Sequence, residues 1–293
     1  MNADYQNAEW YVLTLVMPAD ISEELLDELR EYTDRDLVQL AQPESEHTWV
    51  ELYFDQLAAA KEAQAACQDW PFPIHATAVR HCRSRDWEAF WKLHFKSRPI
   101  GDRLFVIPDW ESRPSHANDR CLLRIVPGLS FGTGEHFTTR FCLEMIDRLA
   151  PPSGPCHTMW DVGCGSGLLG VAGAVLGMRE VVGTDNDPIC LSQSADNAEL
   201  NGVAQRTKWM TGDILGEESY GSFDLVCANL FASLLMQAAE TLWQATGRYL
   251  ALSGIREHEV DGVADTFLAL GAREVVRDGD GEWAGLLFER VTQ

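Results

Sequence analysis

The most informative segment of this 293-residue chain is Trp160-Asp161-Val162-Gly163-Cys164-Gly165-Ser166-Gly167. An apolar run that ends in three alternating glycines predicts a buried strand, a tight turn and a helix that begins at Leu168. Glycine lets the backbone pass close to a ligand where any Cβ would collide. The start of the helix offers unpaired N–H groups and a partial positive charge to an acceptor.

The next apolar run, Glu180 to Thr184, ends at Asp185, whose carboxylate can accept hydrogen bonds from both hydroxyls of a ribose. The two segments together predict a site for a nucleoside cofactor. Residues 165–170 also fit the G-x-G-x-x-G dinucleotide fingerprint, so a dinucleotide enzyme is one alternative, and a turn that serves packing only is another. Asp161, two residues ahead of Gly163, favours a third interpretation. The form D-x-G-x-G-x-G resembles the S-adenosylmethionine loop of class I methyltransferases.

Composition limits the possible classes of protein. No apolar run approaches the ~18 residues of a membrane span, and the first ten residues lack the pattern of a signal peptide. Eight scattered cysteines without a C-x-x-C pair indicate reduced thiols, with neither a disulfide frame nor a metal site. A net charge of −22 argues against direct binding of nucleic acid, although solubility or a salty habitat explains the charge equally well. We therefore expect a cytoplasmic protein without a membrane or nucleic-acid contact.

The first part of the chain alternates strand and helix patterns in the order βαββαβ, which predicts a small α+β, ferredoxin-like domain over residues 1–82. No catalytic constellation is present in it, so we interpret it as a binding module. Residues 1–70 carry 16 acidic and three basic side chains, more than half of the net charge, so a partner is expected to be basic. The predicted elements are Glu9–Val16, Ile21–Tyr32, Asp36–Ala41, Thr48–Phe54, Asp55–Cys67 and Phe72–Arg80.

Residues 83–120 are predicted to form a linker with a short aromatic helix at Asp86–Phe95, a strand at Leu104–Ile107 and a polar turn. From residue 121 to 293 strands and helices alternate, which predicts an α/β, Rossmann-like, mainly parallel sheet with an antiparallel hairpin around Gly279–Gly281. The predicted strands are Cys121–Val126, His157–Val162, Glu180–Thr184, Thr207–Met210, Phe223–Ala228, Arg248–Leu252, Arg273–Arg277 and Trp283–Arg290. The predicted helices are Thr138–Leu149, Leu168–Leu176, Pro188–Asn201, Phe231–Ala245 and Glu257–Leu268.

Three further segments carry candidate chemistry. The glycine-rich stretch Pro127–Thr139 suits a flap over a cofactor, with Thr138 or Thr139 as helix cap or ligand, or an ordinary capped loop. Asn229 follows a buried strand at the point where amino-group methyltransferases carry an Asn or Asp. Its side-chain oxygen and the next backbone carbonyl, that of Leu230, would accept hydrogen bonds from a nucleophilic nitrogen, although a helix N-cap is an equal alternative.

Asp213 lies where such enzymes often contact the adenine amino group, although a purely structural role is as well supported. Two histidines, His136 and His258, are candidate general bases. Loop histidines more often cap helices or lie in solvent, so neither carries the prediction.

These motifs together resemble the ribosomal protein L11 methyltransferase (PrmA) family over nearly the full length. The resemblance rests on the P-G-L-x-F-G-T-G-x-H-x-T-T block at 127–139, the loop at 161–167, Asp185 and Ala228-Asn229. It implies cofactor contacts at Thr139, Gly163, Asp185 and Asn229. It also implies N-methylation of lysine and α-amino groups of ribosomal protein L11, a basic protein held by the N-terminal domain. The chain departs from the usual family pattern at Glu135 and Phe137, and over residues 230–235.

The predicted function is therefore that of an S-adenosylmethionine-dependent protein N-methyltransferase, active as a monomer. A methyltransferase of another protein or of a small amine, and a non-catalytic cofactor binder, are the alternatives. Asn229 and Leu230 are the predicted catalytic residues. The predicted cofactor-binding residues are Thr139, Asp161, Gly163, Gly165, Gly167, Asp185, Asp213 and Asn229.

Overall fold

The structure, a computed structural model, describes residues 9–18, 25, 29, 33, 37–40, 47–67, 74–83, 97–117, 119–126, 136–216 and 220–291. Internal contacts divide the chain into two units, residues 1–94 and 95–293. The predicted aromatic helix at Asp86–Phe95 lies outside the described residues. Residues 127–135 of the predicted flap lie outside them as well. No described helix has the length and hydropathy needed to cross a membrane.

The first unit has the predicted α+β order. Its antiparallel sheet runs β2-β3-β1-β4, and β5 also pairs with β1. Leu25 and Leu29, inside the predicted first helix, are helical and buried. The last predicted strand, Phe72–Arg80, is instead two short strands, β4 and β5. The elements are β1 (Glu9–Pro18), β2 (Leu37–Leu40), β3 (His47–Phe54), α1 (Leu57–Ala66), β4 (His75–Ala76) and β5 (Arg80–Arg83).

Alternation along β1 and β3 buries one face of this sheet. Leu13, Leu15 and Met17 point to the same side of β1, as a period of two requires, and are fully buried. They pack with alternate residues of β3 and with small residues of α1, among them Ala60 and Ala63. The core of the first unit therefore lies between its sheet and its helices.

The second unit begins with a three-stranded sheet of β6 (Arg98–Ile100), β7 (Leu104–Pro108) and β8 (Cys121–Ile125). The prediction that Cys121–Val126 joins the main sheet is wrong, because β8 pairs in parallel with β7. Two asparagine side chains form hydrogen bonds with the backbone groups at the other edge of β8. Asn201 accepts from the Arg124 N–H at 2.8 Å and donates to the Arg124 carbonyl at 2.7 Å, and Asn197 accepts from the Val126 N–H at 3.0 Å.

The main sheet has seven strands in the order β11-β10-β9-β12-β13-β15-β14. Five neighbouring strands run parallel to one another, namely β11, β10, β9, β12 and β13. The strand β15 runs antiparallel to both β13 and β14, which confirms the predicted hairpin. The strands are β9 (Thr158–Val162), β10 (Glu180–Asp185), β11 (Thr207–Thr211), β12 (Phe223–Asn229), β13 (Thr246–Arg256), β14 (Arg273–Gly279) and β15 (Trp283–Glu289).

Helices connect most of these strands. They are α2 (Phe137–Leu149), α3 (Leu168–Val175), α4 (Pro188–Leu200), α5 (Ala232–Gln237), α6 (Ala239–Ala245) and α7 (Val260–Ala269). The prediction of a single helix over Phe231–Ala245 is wrong. The helix is interrupted at Ala238, which is the C-cap of α5 and the N-cap of α6.

The strand order creates a crevice at one edge of the sheet. From β9 the chain builds outward to β10 and β11 on one side, whereas β12 and β13 lie on the other side of β9. Ligands of open α/β sheets bind beyond the carboxyl ends of strands at such a reversal. The segments after β9, β10, β11 and β12, which contain most of the predicted site residues, all begin at this edge.

Candidate active site

The glycine loop after β9 is a tight left-handed turn. Gly163, Gly165 and Gly167 have φ values of 65°, 51° and 73°, a region that residues with a Cβ seldom adopt. Gly167 is the N-cap of α3, so the turn leads directly into a helix start. A Cβ on Gly167 would lie 2.7 Å from the Ser194 Cβ, so the loop also packs tightly against α4. Glycine at these positions is required by backbone shape, as the sequence predicted.

Asp161 lies beneath this loop and is fully buried. Its Oδ2 accepts a hydrogen bond from the Gly170 N–H at 2.8 Å, in the first turn of α3. Its Oδ1 has no hydrogen-bond partner among the described residues. Burial raises the pKa of Asp161 to about 7, with the Gly170 hydrogen bond opposing the rise and the charge of Asp185 adding to it. The Asp161 side chain therefore connects the end of β9 to the first turn of α3.

Asp185 connects the loop to the next strand. Its Oδ2 accepts from the Gly165 N–H at 2.8 Å, and its Oδ1 accepts from the Asp187 N–H at 3.0 Å. The side chain is half-buried at the end of β10. A carboxylate has about four lone-pair sites, so two remain for a ligand.

Asp213 follows β11 at the same edge. The Gly212 N–H donates to the Asp185 carbonyl at 3.0 Å, which brings the two segments together. The Asp213 side chain is exposed and its Oδ1 accepts from the Leu215 N–H at 2.9 Å, within its own turn. Contact between Asp213 and a cofactor stays a prediction.

Asn229 and Leu230 lie beside the glycine loop. Asn229 pairs with Ser253 at the end of β12, and the Leu230 N–H donates to the Ser253 carbonyl at 3.0 Å. A Cβ on Gly163 would lie 2.5 Å from the Leu230 Cδ2, so the Leu230 side chain packs against that glycine in the space that a Cβ would occupy. The half-buried Asn229 side chain makes no hydrogen bond to a described residue. The N-cap of α5 is Phe231, so the alternative that Asn229 caps this helix is wrong.

Thr139 lies in the first turn of α2 and is buried, and its Oγ1 has no partner among the described residues. The cap of α2 is His136, rather than the predicted Thr138 or Thr139. The His136 side chain accepts from the Thr138 N–H at 3.4 Å, and its ring packs edge-on against Trp283. Burial lowers the pKa of His136, opposed by the charges of Glu282 and Asp280. The exposed His258 lies in a short 3₁₀ helix, Glu257–Glu259.

Two polar residues of α4 hold the loop, and the sequence analysis missed both. The Ser194 Oγ donates to the Gly165 carbonyl at 2.9 Å, and the Asn197 Nδ2 donates to the Ser166 carbonyl at 2.9 Å. Both side chains are buried. Their spacing of three residues places them on one helix face, but a polar pair at that spacing resembles a solvent-facing one.

The site suits a nucleoside cofactor. Gly163 of the glycine turn is exposed, Asp185 keeps two acceptor sites, and Thr139 presents a buried hydroxyl without a described partner. Buried polar atoms without partners are rare in folded proteins, so these positions fit a polar ligand. Among the described residues no group of three His, Cys, Asp or Glu side chains could hold a metal ion. Fold and site together define a class I methyltransferase.

Comparison with known proteins gives the family. The sequence model of the ribosomal protein L11 methyltransferase (PrmA) family matches residues 16–291. The ribosomal protein L11 methyltransferase of Pelotomaculum thermopropionicum is 38% identical over 220 residues, 74% of this chain and 69% of that protein. The protein of the same name from Synechococcus sp. (strain RCC307) is 32% identical over 298 residues, 96% of this chain and 97% of that protein.

A solved structure agrees with this match. The ribosomal protein L11 methylase of Lactobacillus delbrueckii subsp. bulgaricus has a TM-score of 0.57 and 28% identity, and the likeness covers 66% of this chain and 98% of that one. The chain belongs to the ribosomal protein L11 methyltransferase (PrmA) family. It is an S-adenosylmethionine-dependent protein methyltransferase, which confirms the predicted family, enzyme class and methyl donor.

Proposed function

We propose that this chain transfers methyl groups from S-adenosylmethionine to lysine and α-amino groups of ribosomal protein L11. The observation that carries the proposal is the placement of Asn229-Leu230. The Asn229 side chain is half-buried, lies at the carboxyl end of β12 and is unengaged by the described residues, and its neighbour Leu230 packs against the cofactor loop at Gly163. The relatives named above are ribosomal protein L11 methyltransferases, which supports the choice of substrate.

The substrate nitrogen has to be neutral before it can react. A lysine with a pKa near 10.4 costs about 4–5 kcal/mol to deprotonate near pH 7, and transfer out of water offsets much of this cost by lowering the pKa. S-adenosylmethionine, when bound, supplies a methyl group activated on a sulfonium sulfur. The Asn229 side-chain oxygen and the Leu230 carbonyl accept hydrogen bonds from the amine N–H groups and aim its lone pair. The chain's own contribution is therefore chiefly positioning.

The remaining predicted site residues complete the proposal. Asp185 holds the ribose hydroxyls with its two remaining acceptor sites, and Asp213 meets the adenine edge. Thr139 and the glycine loop, supported by Asp161, hold the rest of the cofactor. In this division the glycine loop, Asp185 and Asp213 contact the cofactor from the carboxyl edge of β9, β10 and β11, and Thr139 contacts it from α2. Asn229, at the end of β12, contacts both the cofactor and the amine.

Recognition of the protein substrate is proposed for the domain of residues 1–82, joined through residues 83–120 to the methyltransferase domain, 121–293. The 16 acidic and three basic side chains of residues 1–70 suit a basic ribosomal protein. The same negative charge opposes direct contact with nucleic acid. A monomer in the cytoplasm is the form we propose for the active enzyme.

Incubation with isotope-labelled S-adenosylmethionine tests the substrate. The chain is mixed either with purified, unmethylated L11 or with a whole-cell lysate, and mass spectrometry identifies what gains methyl groups. Methylation of L11 as the main product supports the proposal, and the same lysate without the added chain controls for other methyltransferases. Label in a different protein or in a small amine would replace L11 as the substrate. Cofactor binding without any transfer would mean a non-catalytic binder.

A further inference from the structure

The pairing of β13 with β15 contains an irregularity next to the proposed amine site. On either side of it the register is regular, with Leu252 opposite Leu286 and Ile255 opposite Ala284. Three steps along β13 therefore match two along β15, which is the extra residue of a β-bulge. Gly254, inside the bulge, has a φ of +82°. A residue with a Cβ seldom adopts this conformation.

The bulge lies directly against Leu230. A Cβ built on Gly254 would lie 2.5 Å from the Leu230 oxygen and 2.9 Å from both the Leu230 carbonyl carbon and nitrogen. The obstructing atoms belong to the backbone, so they cannot swing aside as a flexible side chain can. The Leu230 peptide therefore lies across the Gly254 Cα, at a separation that only glycine permits.

A hydrogen-bond chain also fixes the backbone of Leu230. The Leu230 N–H donates to the Ser253 carbonyl at 3.0 Å, and the buried Ser253 Oγ donates to the Ala284 carbonyl at 3.1 Å across the bulge. On its other side, the Leu230 side chain packs against Gly163 of the cofactor loop. The contacts with Ser253 and Gly254 therefore fix the position of the Leu230 oxygen. This oxygen accepts no hydrogen bond from a described residue, so it is available as an acceptor.

We propose that Gly254 is a positioning residue for methyl transfer. Its left-handed conformation and its missing Cβ hold the Leu230 carbonyl in the orientation that accepts a hydrogen bond from the substrate nitrogen. The inference deepens the proposed function and rests on it. Both glycines make room for Leu230. The missing Cβ of Gly163 leaves space for the Leu230 side chain, and the missing Cβ of Gly254 leaves space for the Leu230 backbone. Gly254 affects the position of the amine only through the Leu230 carbonyl, and it makes no contact with the cofactor itself.

Gly254→Ala in the full chain tests this role, with Gly271→Ala as its matched control. Gly271 has a similar φ of +86°, but a Cβ there would meet nothing within 4 Å. Both variants carry similar backbone strain, and only Gly254→Ala adds a clash that displaces the Leu230 backbone, so Gly254→Ala should also lose more melting temperature than Gly271→Ala. We expect kcat for L11 methylation to fall about 10- to 100-fold in Gly254→Ala, because small misplacements of reacting groups are costly. The dissociation constant for S-adenosylmethionine, measured by calorimetry, should stay within about twofold in both variants.

Equal kcat in the two glycine variants would overturn the inference, and so would a cofactor affinity that falls in step with kcat. If Gly254→Ala does not fold, Ser253→Ala decides, because it removes only the hydroxyl that fixes the bulge. A kcat reduced several-fold at unchanged cofactor affinity then supports the role, and an unchanged kcat contradicts it. The wild-type chain separates this outcome from the proposed function: absence of L11 methylation by the wild type refutes the function, whereas an active wild type with an equally active Gly254→Ala refutes only the inference.

Discussion

Replacing Asp185 by alanine should remove most of the affinity for S-adenosylmethionine. The carboxylate already accepts the N–H groups of Gly165 and Asp187, at 2.8 and 3.0 Å, and has two acceptor sites left for the ribose hydroxyls. Two hydrogen bonds to a charged group contribute about 1.5–3 kcal/mol each, so the variant loses about 3–6 kcal/mol of binding free energy. This corresponds to a dissociation constant roughly 10²- to 10⁴-fold higher.

Calorimetric titration with S-adenosylmethionine measures this loss, and a melting curve on the same preparation shows that the variant is folded. Asp187→Ala is the matched control, because Asp187 lies two residues away and caps α4 through the Ile189 N–H at 2.8 Å. It should lose about 1 kcal/mol of stability and little affinity. Wild-type affinity in a folded Asp185→Ala variant would refute the placement of the ribose. Tight binding of NADH to the wild type would instead favour the dinucleotide alternative.

Two further predictions concern charge. Because docking of L11 is attributed to an acidic domain, the KM for L11 should rise with ionic strength beyond about 0.1 M, where the screening length is about 10 Å, while cofactor affinity changes little; a KM that does not change with salt would contradict acidic docking. The raised pKa of Asp161 means that folding takes up a proton between the ordinary value of 3.8 and about 7, so wild-type stability is full below this window and falls as pH rises through it. Asp161→Asn carries no buried charge, so its free energy of unfolding should gain on the order of 3 kcal/mol relative to that of the wild type as the pH rises from about 5 to about 8. Chemical denaturation at several pH values measures this difference, and parallel pH profiles of the two proteins would contradict the buried charge.

The central strand and its loop could be predicted from sequence because their signals are local. An apolar strand, alternating glycines and an acid at the next strand end each constrain the backbone or the ligand within a few residues. The parallel arrangement of the strands and the closing hairpin followed from the alternation of elements and from the short turn at Gly279–Gly281. The membership of the family was predictable for the same reason, since its motifs lie in these segments.

What the sequence missed depends on contacts between distant segments. The edge of β8 is satisfied by the side chains of Asn197 and Asn201, more than 70 residues away, so its apolar pattern alone could not exclude it from the main sheet. The break at Ala238 has neither glycine nor proline to mark it. The bulge at Gly254 becomes meaningful only once Leu230 is known to lie across it.

The cap of α2 was missed for a more local reason. Threonine is a preferred N-cap residue, so Thr138 and Thr139 were the natural candidates, yet both are inside the first turn and His136 accepts the Thr138 N–H instead. The imidazole nitrogen serves there as an acceptor, which agrees with a pKa lowered by burial. That burial could not be predicted from the residues near His136, because it depends on Trp283 in the distant hairpin.

Turnover of the Asn229→Ala variant is the most direct test of the proposed amine site. The side-chain oxygen is proposed to hold the nitrogen in line with the methyl group, an interaction that matters most in the transition state. Its loss should lower kcat for L11 by about 10²-fold or more, with a smaller loss of cofactor affinity than in Asp185→Ala and little change in melting temperature. Asn229→Asp, which keeps an accepting oxygen, should retain more activity. A folded Asn229→Ala variant with wild-type kcat would contradict the placement of the amine at the end of β12.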